Sequence, residues 1–79
     1  MHYFIRTMEK HKDTEGIFSS EIICDALPTA KARARQLVME ADPALMLQAD
    51  ACSKNHLGIR TRYRCWMDER GNFNERSLA

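Results

Sequence analysis

The sequence predicts an α+β fold in which a single helix packs on one face of a four-stranded antiparallel sheet, in the order ββαββ. Three observations predict this fold. The chain has 79 residues, which suffices for a single small domain, residues 1–79, with a thin core. One segment has an apolar stripe with helical spacing, and four segments have the residue types or the alternation of strands. An apolar fraction of 44% excludes a disordered chain.

The N-terminal third of the chain predicts a β-hairpin. Residues 3–9 are rich in aromatic and branched side chains, which are typical of a strand. The polar run 10–16 suits a hairpin loop because it ends in glycine. Residues 17–26 then form the second predicted strand, in which Ile22 and Cys24 share a mostly apolar face.

The predicted helix has two possible starts and one clear end. Thr29 can serve as its N-cap, or Pro28 can occupy the first turn. The pair Asp42-Pro43 ends the helix, because the residue before a proline avoids helical backbone angles. A single apolar stripe with small alanines would let the helix lie close to a sheet; it consists of Ala30, Ala34, Leu37, Val38 and Ala41.

Two strands follow the helix. Residues 45–51 form the third, 53–56 form a turn, and 57–67 form the fourth. Phe73 either begins a short last strand or docks on the domain, and the tail from about residue 74 is expected to be mobile. In the fourth strand the apolar positions alternate with a second set on the opposite face, which consists of Arg60, Arg62, Arg64 and Trp66.

This arginine row is the main candidate for a binding surface. Alternate residues of a strand point the same way, so Arg60, Arg62 and Arg64 would project together beside Trp66. Arginine and tryptophan are enriched at binding hot spots. The alternative is a solvated face whose arginines pair with Glu21 and Asp25 across the sheet.

The start of the predicted helix is the second candidate. Lys31, Arg33 and Arg35 oppose the helix dipole there, which makes sense if the helix start meets an anionic group of a partner. The alternative is that these side chains only aid solubility. The net charge of the chain is only +1, but residues 54–66 contain four basic residues and no acid. The excess of positive charge is therefore local.

No motif of an enzyme is present. The chain has no glycine-rich phosphate loop, and no base is spaced to activate a nucleophile, so we expect neither catalysis nor a cofactor. Cys52 and His56 have a spacing that zinc ligands can use, but buried free thiols are the commoner outcome for Cys24, Cys52 and Cys65. We therefore expect no metal.

The subcellular location predicted from the sequence is the cytoplasm. The three cysteines are an odd number without a C-x-x-C pair, which is typical of free thiols in a reducing compartment. The first residues carry charges and no apolar signal-peptide core. No apolar run approaches the roughly 18 residues that a bilayer crossing needs, so no membrane partner is expected.

The arrangement of two strands, a helix with the run TAKARARQLVMEADP, and two further strands resembles the anti-CRISPR proteins of phages and mobile elements. The resemblance covers roughly residues 2–67 as an arrangement and includes no diagnostic motif. It implies a non-enzymatic inhibitor that binds a CRISPR effector, such as a Cascade-type ribonucleoprotein complex, and blocks target DNA binding or cleavage. The alternative is a small nucleic-acid-binding domain that uses the arginines on phosphates and Trp66 as a stacking platform.

Overall fold

The structure, a computed structural model, describes residues 2–9 and 18–78. The predicted hairpin loop at 10–16 lies outside the described residues. The elements in chain order are β1 (His2–Glu9), β2 (Phe18–Cys24), α1 (Leu27–Glu40), a 3₁₀ helix (Pro43–Leu45), β3 (Leu47–Asn55), β4 (Gly58–Met67) and β5 (Phe73–Ser77).

The strands form one antiparallel sheet in the order β2-β1-β3-β4-β5. The prediction of one helix on an antiparallel sheet is confirmed, but the prediction of four strands is wrong. The fifth strand, β5, begins at Phe73, as one of the two predictions for that residue had it. It continues through residues 74–77, which the sequence assigned to a mobile tail, and it pairs with β4 from Met67↔Phe73 to Tyr63↔Ser77. The order ββαββ therefore becomes ββαβββ.

The helix α1 packs mainly over β3 and β4. Ala30, Ala34 and Val38 of the predicted stripe are fully buried, and their small size lets the helix lie close to Ala49 and Ala51 of the sheet. The helix begins at Leu27 with Pro28 in its first turn, as one of the two predictions had it. The N-cap is Ala26, without a side-chain hydrogen bond, so the prediction of Thr29 as the cap is wrong.

The third strand begins later than predicted because Leu45 belongs to the 3₁₀ helix. Asp42 Oδ1 accepts a hydrogen bond from the Ala44 backbone N–H at 3.0 Å, and Met46 has a left-handed backbone with φ 47°. This short helix uses residues that alternate like a strand in the sequence. At its other end, β3 continues through the predicted turn to Asn55, whose Oδ1 accepts from the Leu57 N–H at 2.8 Å.

The side chain of Asp68 accepts three hydrogen bonds within the β4–β5 turn, which we call the Asp68 clasp. The turn that they stabilise brings β5 back alongside β4. Asp68 Oδ1 accepts from the backbone N–H groups of Arg70 and Asn72, both at 2.9 Å, and Oδ2 accepts from Asn74 Nδ2 at 3.2 Å. Gly71 has φ 79°, a conformation that other residues rarely adopt. Such turns are built from aspartate and glycine, so the pattern D-x-x-G was the signal for a hairpin here.

We predict that Asp68→Ala loosens β5. The hydrogen bonds, first the one from Asn72, lower the pKa of Asp68, so the clasp stabilises the fold above the ordinary carboxyl pKa. That contribution is lost as pH falls through the lowered folded-state pKa. At neutral pH the variant should exchange its β5 amide hydrogens about tenfold faster than the wild type, and its melting temperature should fall.

Glu69→Ala is the matched control, because Glu69 is exposed in the same turn and no described group contacts its carboxylate. Hydrogen exchange and thermal melts of both variants decide the matter. Equal effects of the two substitutions, or an Asp68 effect that grows toward acid pH, would contradict the role assigned to the clasp.

Candidate cationic interface

A β-bulge divides the predicted arginine row. Ala51 of β3 lies opposite Tyr63, but its neighbour Cys52 lies opposite Thr61, so Arg62 is an extra residue in β4. The alternation of side chains changes phase at this point. Arg64 faces away from α1, whereas Arg60 lies opposite Ser53 on the helix side of the sheet. The prediction that all three arginines share one face is therefore wrong.

Arg64 neutralises a carboxylate inside the protein. Asp50 is completely buried, and Arg64 donates to both of its oxygens, with Nε–Oδ1 at 2.9 Å and Nη2–Oδ2 at 3.0 Å. Gln48 Nε2 donates to the same Oδ1 at 3.2 Å. The hydrogen bonds to Asp50 raise the pKa of Arg64, although its side chain remains 41% exposed. Arg64 is thus a structural counterion before it is a binding residue.

Neither of the acids predicted to pair with the arginines is close to β4. Glu21 stands in the register opposite Arg6, on an edge strand separated from β4 by β1 and β3, and Asp25 is exposed beyond the end of that strand. The residue that sequence reasoning missed is Asp50. The sequence did contain a signal for this residue. Asp50 lies between the small apolar residues Ala49 and Ala51, so its side chain belongs to the opposite face of the strand, the face of Arg64.

Trp66 lies on the same face as Arg64. Both line a shallow cleft of about 320 Å³, together with Gln48, Leu78 and Arg76 of β5. Arg76 stands directly opposite Arg64 and is exposed. The sequence analysis missed Arg76 because it placed this segment in the tail. Trp66 itself is half-buried, so only part of its ring is available to a partner.

The other two arginines of the row share a cleft of about 310 Å³ at the β3–β4 hairpin. Arg60, Arg62 and the nearly buried Ser53 line it, beside the exposed Leu57. Among residues 2–9 and 18–78, no carboxylate lies within ion-pairing distance of either arginine. Arg60 is exposed, and Arg62 is half-buried.

The helix contributes two cations to the same side of the sheet. Lys31 Nζ lies 5.8 Å from the ring centroid of Tyr63, and Arg35 follows one helical turn later on the same flank. The Arg35 charge opposes the rise in the pKa of Tyr63 that burial causes, which places that charge near the buried phenol. Arg33 lies on the opposite flank and donates to Gln36 Oε1 at 3.0 Å.

Four of the seven predicted residues therefore lie on one side of the sheet: Lys31, Arg35, Arg60 and Arg62. We call these residues the cationic surface. They lie on the helix side of β4, whereas Arg64 and Trp66 lie on the opposite face of the sheet. Arg33 joins neither group.

The cysteines do not converge on a metal. Cys52 faces away from the helix, opposite Thr61, whereas Cys65 belongs to the core cluster beneath α1. In the described part of the chain, no three His, Cys, Asp or Glu side chains are close enough to hold a metal ion. Burial raises the pKa of Cys65 to about 11. It also raises the pKa of Cys52, although the Arg6 guanidinium acts in the opposite direction.

We predict that Cys24 reacts first with a thiol reagent. Cys24 is half-buried on the edge strand β2, whereas Cys52 and Cys65 are buried with raised pKa values. Iodoacetamide at neutral pH should alkylate one thiol per folded chain, and mass spectrometry after proteolysis should locate it at Cys24. Cys24→Ser should abolish the fast reaction, and rapid labelling of Cys52 or Cys65 would contradict the burial of those thiols.

A second prediction separates the structural arginine from its neighbour. Arg64→Gln leaves the buried Asp50 carboxylate without its ion pair, which should lower the free energy of unfolding by about 2 kcal/mol. Arg62→Gln removes the same charge from a side chain without a described carboxylate partner, and should change that free energy by less than about 0.5 kcal/mol. Urea denaturation of both variants measures the difference, and equal destabilisation would contradict it.

Comparisons with protein-family models, with curated proteins and with solved structures found no match to this chain. In the described part of the chain, no helix combines the length and the apolar character needed to cross a membrane.

Proposed function

We propose that the protein is a non-enzymatic binding protein whose cationic surface holds an acidic region of a larger protein complex. One observation carries the proposal. The bulge in β4 gathers Arg60 and Arg62 on the side of the sheet where α1 presents Lys31 and Arg35, and no carboxylate of the described residues pairs with any of them.

The electrostatics of this side of the protein favour an anionic partner. The first turn of α1 contains no acidic residue, and Lys31 follows in the next turn, near the positive end of the helix dipole. Arg35 lies further along the helix, where its charge and the opposite charge of Glu75 both act on the phenol of Tyr63. Crowded like charges repel, and a complementary acidic surface would relieve the repulsion and speed association. The net charge is only +1, so attraction is confined to this surface and does not extend to every polyanion.

The resemblance to anti-CRISPR proteins supports a specific partner. We propose that the partner is a CRISPR effector of the Cascade type, in the cytoplasm of a host cell, and that the bound protein blocks the approach or cleavage of target DNA. The inhibition would act by occlusion, which requires a stable contact and no chemistry. Trp66 and the cleft beside it would add a second contact on the other face of the sheet.

A second candidate function is direct binding of single-stranded nucleic acid. The observation that favours it is the cleft in which Trp66 lies near Arg64 and Arg76, because aromatic rings stack on bases and arginines bind phosphates. Arg64 is already neutralised by Asp50, however, which leaves Arg76 as the exposed cation of this cleft in the described structure. We therefore favour the protein partner.

The test is charge reversal on the cationic surface. The double variant Arg60→Glu/Arg62→Glu should weaken binding to a purified Cascade-type complex at least about a hundredfold, and should restore interference against phage in cells. Arg33→Glu is the matched control, since it reverses an equivalent charge on the far flank of the helix. Arg64 is unsuitable for this test because its reversal should unfold the protein.

The outcomes distinguish the two candidate functions. Inhibition by the wild type that persists in the double variant would refute the role of the cationic surface. If the wild type neither binds nor inhibits the effector but binds a short single-stranded oligonucleotide, with affinity that falls steeply with salt, the second candidate function replaces the first.

A further inference from the structure

A groove of about 670 Å³ lies outside the cationic surface. It lies at one end of the sheet, where the first residues of β1 meet the β3–β4 hairpin. Its lining residues are His2, Tyr3, Phe4, Ile23, Lys54, Asn55, His56 and Ile59.

The base of the groove is apolar. Phe4 of β1 is nearly buried and lies directly opposite Ile23 of β2, while Ile59 of β4 closes the other side. Ile23 is 80% exposed and Ile59 is 49% exposed, although both are large and branched. Clustered exposed apolar side chains mark binding sites.

The rim of the groove is basic. His2 and Lys54 are direct partners in the pairing of β1 with β3, and His56 follows in the adjoining hairpin turn. No aspartate or glutamate is among the described residues that line the groove. An apolar base with a rim of cationic and hydrogen-bonding groups is complementary to a molecule with an apolar body and an anionic end.

We propose that this groove binds a small amphiphile that has one anionic head group and a short apolar chain. The volume lies within the range of small-molecule sites, which are mostly apolar with a few placed polar groups. The head would lie against Lys54 and the two histidines, and the chain would cover Ile23 and Phe4. The groove is separate from the arginines of the cationic surface, so the proposal does not depend on the proposed function.

Titration with dodecanoate, below the concentration at which it forms micelles, tests the proposal. Calorimetry and amide chemical shifts should report saturable one-to-one binding, with the shift changes concentrated in β1, β2 and the β3–β4 hairpin. Dodecyltrimethylammonium has the same chain with a cationic head, and should bind at least about tenfold more weakly. Dodecyl phosphate shows whether the site prefers carboxylate or phosphate.

Two variants and a control locate the site. Ile23→Asp places a negative charge where the apolar chain of dodecanoate would lie, and should weaken dodecanoate binding at least about tenfold. Lys54→Gln removes a positive charge beside the anionic head group, and should weaken binding about fivefold. Met39→Asp changes an exposed apolar residue of α1 outside the groove and should leave the affinity unchanged. The high exposure of Ile23 and Lys54 keeps both variants folded, which circular dichroism verifies.

Three results would overturn the proposal. They are the absence of saturable dodecanoate binding, equal affinity for the cationic amphiphile, and equal loss in Met39→Asp and Ile23→Asp. None of them bears on the cationic surface, because effector binding is measured separately with the Arg60→Glu/Arg62→Glu variant.

Discussion

The ion pair between Asp50 and Arg64 is the constraint on which the rest of the structure depends. A fully buried carboxylate is tolerated only when it is paired and hydrogen-bonded, and Arg64 and Gln48 together meet that requirement. The pair joins the central strand β3 to its neighbour β4 at one register position. A slip of one residue would place Asp50 against the helix and strip Ala49 and Ala51 from the core.

The bulge next to this pair determines where the remaining positive charge goes. Because Arg62 is an extra residue in β4, the strand can satisfy Asp50 with Arg64 and still turn Arg60 toward the helix side. Identical residue types two positions apart thus acquire different roles. Arg64 is an internal counterion, whereas no carboxylate of the described residues pairs with Arg60 or Arg62. A binding surface can then change without disturbing the ion pair.

The fold also exposes two chemically different surfaces on opposite sides of one sheet. The helix side presents Lys31 and Arg35 together with Arg60 and Arg62. The other side holds an apolar groove with a basic rim at the hairpin end and an aromatic, cationic cleft at the β4–β5 end. The single helix of the described residues, α1, covers only one face of the sheet.

The amino-acid sequence by itself determined the helix. The apolar residues from Ala30 to Val38 recur with helical spacing, and only a helix places them together on one buried face. The sequence also determined the antiparallel sheet and the existence of the strand Gly58–Met67, because apolar and polar residues alternate along this segment. It did not reveal the bulge, since an extra residue appears only when β3 and β4 are paired. It therefore placed Arg60 on the wrong face, and it missed Asp50 as the partner of Arg64. Only the tertiary structure decided which arginines are neutralised, because a contact between residues 14 positions apart in the chain depends on strand register.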